Sequence, residues 1–114
     1  MAQQPPLIKN DPLYRLLREG HIKEFNERKL KGEKCDLTCC DFHRVDLRGL
    51  DADGLDLSNC YFRMCDLRGI DLTKANMEGA SIHGAHISGA YFPKELTAEE
   101  ITLSLLHGTR MRYR

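Results

Sequence analysis

The sequence has no net charge, no long apolar run and no even set of cysteines, and each absence removes a class of protein. Seventeen Lys and Arg balance seventeen Asp and Glu, so nothing global argues for nucleic acid, an acidic membrane or a polycation as partner. The opening stretch "MAQQPPLIKNDP" holds no apolar run of signal-peptide length. No segment approaches the roughly 18 apolar residues of a membrane span, and a soluble, cytoplasmic protein is expected. Five cysteines without an export signal read as reduced thiols rather than a disulfide framework. Also missing are a Ser/His/Asp arrangement, a phosphate-binding glycine loop and a pair of carboxylates facing inward. The expectation is a protein that is not an enzyme and carries no cofactor or metal.

What the sequence does have is a period of five. From Cys35 onward, twelve five-residue units follow without insertion: CDLTC, CDFHR, VDLRG, LDADG, LDLSN, CYFRM, CDLRG, IDLTK, ANMEG, ASIHG, AHISG and AYFPK. The central residue is apolar in every unit, from Leu37 and Phe42 through to Ile87 and Phe92. The residue two before it is Cys, Val, Leu or Ile in the first eight units and Ala from Ala75 onward. Two apolar residues two apart share one face of an extended segment. The residue between them is Asp at 36, 41, 46, 51, 56, 66 and 71, which fits a solvent-facing site. The last residue is Gly at 49, 54, 69, 79, 84 and 89 and Asn at 59, as the third position of a type II turn requires. Each unit is therefore one short side and one corner. Four corners close a coil of about 20 residues, and stacked at about 4.8 Å three coils make a short solenoid.

These units resemble those of the pentapeptide-repeat family, whose A(D/N)Lxx repeats wind a right-handed quadrilateral β-helix. The resemblance covers residues 35 to 94. It implies an all-β solenoid of about three coils with short α-helical caps at both ends. The single domain, 1–114, divides into an N-terminal helical cap (1–34), the repeat array (35–94) and a C-terminal helix with a basic tail (95–114).

Both ends of an open solenoid leave backbone groups unpaired, and the flanks have the composition to cover them. In "NDPLYRLLREG", Asp11 caps a helix that starts at Pro12, carries Leu13, Leu16 and Leu17 on one stripe and stops at Gly20. A second helix through "HIKEFNERKL" is expected to bury Ile22, Phe25 and Leu30 over the first coil. Thr97 and Glu100 form a capping box for a third helix, which ends at about His107 before Gly108. That helix has Ile101 and Leu105 on one side and Leu103 and Leu106 elsewhere, one apolar face more than capping needs, so these four are candidates for homodimerisation. The tail "TRMRYR" is expected to fray.

On the sides of the solenoid, His43, Arg44, Tyr61, Arg63, Met64 and His83 share one face whose Arg, Tyr and Met content suits a protein interface. Another alternates Asp46, Arg48, Asp66 and Arg68 as ion-pair ladders, with an Asp66 to His86 contact expected. Cys35, Cys40, Cys60 and Cys65 face inward as small hydrophobes, and Cys39 is the one candidate reactive thiol. The reading is a non-enzymatic interaction scaffold for an unidentified protein partner, with no direct binding of nucleic acid or membrane. The resemblance also implies an alternative, a DNA-mimicking modulator of DNA gyrase or another DNA-binding protein. The 35–94 array, with nine acidic against six basic residues, is short and weakly acidic for that role. A thiol-based sensor through Cys39 is the third possibility.

Overall fold

In the repeat array the corner chemistry dominates. A computed structural model describes residues 5–114; the first four residues of the expected 1–34 cap lie outside the described residues. At every corner from Leu37–Cys40 to Ile87–Ala90, the central C=O accepts from the N–H three residues on. The corner residue has positive φ at all six expected glycines and at Asn59, and also at Cys39, Arg44 and Met64. At Gly79 a φ of 77° strains any side chain, and a Cβ there would also have to displace Asn59 Oδ1 one coil above.

The Asp between the inward residues does more than face solvent. Its Oδ1 accepts from the N–H two residues on, as in Asp36 to Thr38, Asp41 to His43, Asp46 to Arg48 and Asp71 to Thr73, and Asn76 does the same for Glu78. This local bond holds the chain at the entry to each corner.

Coils stack in parallel at a spacing of twenty residues, with bridges Asp41 to Tyr61, Asp46 to Asp66, Asp56 to Asn76, Tyr61 to Ser81, Asp66 to His86 and Asp71 to Tyr91. These bridges are isolated. Among the described residues there is no continuous strand and no sheet, because one bridging residue separates each corner from the next. The all-β expectation is corrected to that extent: the regular elements are three helices, α1 (Pro12–Arg18), α2 (Ile22–Leu30) and α3 (Ala98–His107). We number the sides by their units, the first starting at 35, 55 and 75, the second at 40, 60 and 80, the third at 45, 65 and 85, and the fourth at 50, 70 and 90.

Inward positions are buried from Leu37 to Ala85, with half-burial at Cys35 and in the last units. Phe42 and Phe62 stack with centroids 5.3 Å apart, and Tyr14 meets Phe42 edge-on at 5.3 Å. Tyr14 is fully buried, a core residue that the leucine stripe of α1 did not reveal.

The N-terminal cap works by satisfying the upper edge. Asp11 caps α1 through Oδ1, with Leu13 N–H at 2.9 Å and Tyr14 N–H at 3.1 Å, while its Oδ2 accepts from Asp36 N–H at 3.2 Å. Leu7 pairs with Cys39 and Asp41 as an added strand residue, which nothing in the opening stretch had indicated. The Asn26 amide donates to Gly49 C=O and accepts from Asp51 N–H, both at 2.9 Å. Ile22 and Phe25 pack as expected, but Leu30 is 85% exposed, because five residues after Phe25 it falls on the outer face of α2 while Lys29 beside it still reaches Asp51.

At the other end the tail does not fray. Met111 is fully buried, donating its N–H to Ala80 C=O at 2.9 Å and accepting from Gly79 N–H at 2.7 Å. Tyr113 Oη accepts from Met77 N–H at 2.7 Å. The fraying expectation fails because the lower edge offers these groups nothing else to bond. The capping box is half formed: Thr97 accepts from Glu100 N–H, while the Glu100 carboxylate turns to Arg112, which lies across it.

Candidate functional site

The second side is built on the aromatic column of Tyr14, Phe42 and Phe62, so its outer surface rests on a stiff wall. Arg44 and Met64 occupy its corners at φ 61° and 57°. For a side chain that backbone region is unfavourable by roughly 1 to 2 kcal/mol, and most corners here use glycine instead. Stability is given up to place two long side chains, one coil apart, on the same face.

Together they border an open cleft of about 530 Å³ lined by Pro6, Asp41, His43, Arg44, Tyr61, Arg63 and Met64. Five of the six residues singled out from the sequence thus come together. Arg44 N–H donates to the Arg63 carbonyl at 2.9 Å, so the two guanidinium groups spring from adjacent coils. Among the described residues four other arginines meet carboxylates: Arg28 with Glu33, Arg48 with Asp46 and Asp66, Arg68 with Asp66, and Arg112 with Glu100. The Arg44 side chain hydrogen-bonds to His43, through Nε to Nε2 at 3.2 Å, and the Arg63 side chain makes no hydrogen bond or ion pair among the described residues. Arg18 reaches the rim from α1 to the His43 carbonyl at 3.1 Å. The cleft is therefore cationic with an apolar margin, of which Met64 is 43% exposed.

His83 is the sixth candidate and does not line the cleft. The chain turns over it at Gly108, where a Cβ would lie 3.2 Å from Nδ1. In exchange the tail supplies Arg110, which the sequence reading missed. Its guanidinium lies 4.8 Å from the Tyr61 ring centroid, donates to the Tyr61 hydroxyl, and also donates to the Gly79 carbonyl at 3.1 Å. The one signal available was the basic character of the tail.

The other candidates are distributed. On α3, Ile101 and Leu105 pack against the core, while Leu103 and Leu106 are 42% and 60% exposed. Between them Ser104 is fully buried, its Oγ accepting from Ile82 N–H at 2.9 Å. Cys39 is half-buried at a positive-φ corner. Burial pushes the Cys40 and Cys65 thiols up to about 12, and Cys60 is raised further by the same cause. The third side carries its ion pairs; Asp66 and His86 meet as bridge partners as expected, while the Asp66 carboxylate is taken by Arg68 and Arg48. The Arg68 hydrogen bond holds the Asp66 carboxyl far below its usual range. Among the described residues no group of three or more His, Cys, Asp or Glu is placed to hold a metal ion, and no helix is long and apolar enough to cross a membrane.

Compared with known proteins, residues 33–63 and 56–92 match a family model described as pentapeptide repeats, in eight copies. The matched region, 33–92, is just over half of the chain. No curated protein matches it, and neither does any solved structure.

Proposed function

The chain belongs to the pentapeptide-repeat family, and on that premise we propose that it is a non-enzymatic, cytoplasmic interaction scaffold wound as a right-handed quadrilateral β-helix, whose second-side cleft holds a protein partner. The observation that carries this is that Arg44 and Arg63 border one cleft with no carboxylate ion-paired to either among the described residues, beside the exposed Met64. Such a surface suits a partner that brings acidic and apolar side chains together. Binding of a fluorescein-labelled peptide of alternating Glu and Leu, followed by anisotropy, tests it. The intact chain should bind with an affinity that falls as salt rises, and Arg44→Glu with Arg63→Glu should abolish binding. Equal binding by the variant, or none by the intact chain, rejects the reading.

The alternative of a DNA-mimicking modulator asks for a continuous acidic surface. Several of the array's carboxylates are instead neutralised locally, Asp36 by Lys9, Asp46 by Arg48 and Asp51 by Lys29. Self-association is a second reading with its own support, the exposed Leu103 and Leu106 one turn apart on α3. Light scattering on the intact chain and on Leu103→Ser with Leu106→Ser should show a dimer becoming a folded monomer. A monomer in both removes that reading.

A further inference from the structure

Among the described residues the last coil is closed from below on its first and second sides. In the array each side offers three backbone groups to the coil beneath it. Between the second and third coils of the third side they are all used: His86 N–H donates to Cys65 C=O at 2.9 Å, Leu67 N–H to His86 C=O at 2.8 Å and Gly69 N–H to Ser88 C=O at 3.0 Å. Beneath the third coil the tail and α3 serve the first and second sides, through Met111, Tyr113, Ser104 and Leu105. On the third side the matching groups are Ala85 C=O, Ile87 N–H and Gly89 N–H. None has a hydrogen-bond partner among the described residues. Burial fails at the same place: Ile87, Ala90 and Phe92 are only half-buried, whereas Leu67, Ile70 and Leu72 directly above are at most 2% exposed. Backbone pairing and side-chain packing thus stop together, as they do where a coil is missing its neighbour.

We propose that the lower edge of residues 85–89 is a strand-addition site for an extended segment of a partner protein, lying parallel to it in the register of a fourth coil. The incoming residue opposite His86 would donate its N–H to Ala85 C=O and accept from Ile87 N–H, and the residue two further on would accept from Gly89 N–H. Its neighbours on either side would point inward over Ala85 and Ile87, so apolar residues at alternate positions are required. A second copy stacked head to tail fits poorly. In each copy α2 lies over the third and fourth sides of the first coil, where Asn26 holds Gly49 and Asp51. The site is separate from the second-side cleft and does not depend on it.

The test is amide hydrogen exchange by NMR on the full chain, alone at two protein concentrations and with the synthetic peptide AHISGAYFPK. That peptide repeats residues 85–94 and carries the upper edge that the register requires. A control peptide has proline at its second position, which removes the N–H directed at Ala85. In the free chain Ile87 and Gly89 should exchange at least about 100-fold faster than Leu67 and Gly69. The first peptide should slow them by about tenfold or more and the proline peptide should not. Three results would each overturn the proposal: equal protection of the two pairs in the free chain, no slowing by the first peptide, or protection that rises with protein concentration alone. The last would assign the edge to a second copy.

Discussion

Met111→Ala separates a paired tail from a frayed one. Met111 is fully buried and its backbone completes the Gly79–Ala80 edge, so the substitution leaves those hydrogen bonds possible and removes only packed side-chain volume. Truncating a buried methionine to alanine costs about 2 to 5 kcal/mol. With a urea slope of about 2 kcal/mol per molar, the unfolding midpoint should fall by about 1 to 2.5 M. Arg114→Ala is the control, since its exposed side chain makes none of these contacts, and it should stay within about 0.5 kcal/mol of the parent. Because stacked coils couple mainly to their neighbours, loss at one end can also appear as local opening. Amide exchange at Gly79, Ile82 and Gly84 should then accelerate before that at Phe42. A midpoint for Met111→Ala indistinguishable from Arg114→Ala, with no change in exchange at Gly79, would refute the account of the lower cap.

The acid limb of stability follows from Asp36, Asp46, Asp66, Asp71 and Glu100, all held below their ordinary values, mainly by side-chain hydrogen bonds from Thr38, Arg48, Arg68, Thr73 and Arg112 respectively. A lowered folded pKa means that the unfolded chain binds more protons, so this contribution is complete above about pH 4 to 4.5 and is lost as pH falls through the folded values. The urea midpoint should be level from pH 7 to 5 and fall below about pH 4, less steeply in Asp66→Asn, and a level midpoint down to pH 3 would contradict the assignment. For the thiol-sensor alternative, brief iodoacetamide treatment of the native chain should label Cys39 first and leave Cys40, Cys60 and Cys65 unmodified until denaturant is added. Mass spectrometry showing Cys60 labelled as fast as Cys39 would mean that the second coil is not closed.

The period of five was fully legible because everything it depends on is local. Alternation decides which two residues of a unit face inward, and positive φ decides where glycine closes the corner. The caps at Asp11, Pro12 and Gly108 were legible for the same reason. Even so, the repeated Asp was read only as a solvent-facing residue, although its bond to the N–H two residues on is equally local. The cleft was half legible: stacking at twenty residues aligns Arg44 with Met64 and His43 with Arg63, but it says nothing of Pro6 or Arg110, which arrive from the flanks.

The sequence by itself determined the side, the corner, the coil length and the inward column, each a property of five consecutive residues or of their repetition. Only the tertiary structure decided how the ends are closed. Leu7 and Met111 pair with the array's edges, Leu30 stays in solvent, His83 is covered at Gly108, and Ile87 and Gly89 are left open. Those outcomes depend on where a non-repeating flank returns to the array and which unpaired N–H or C=O it meets first, and the period carries no record of either.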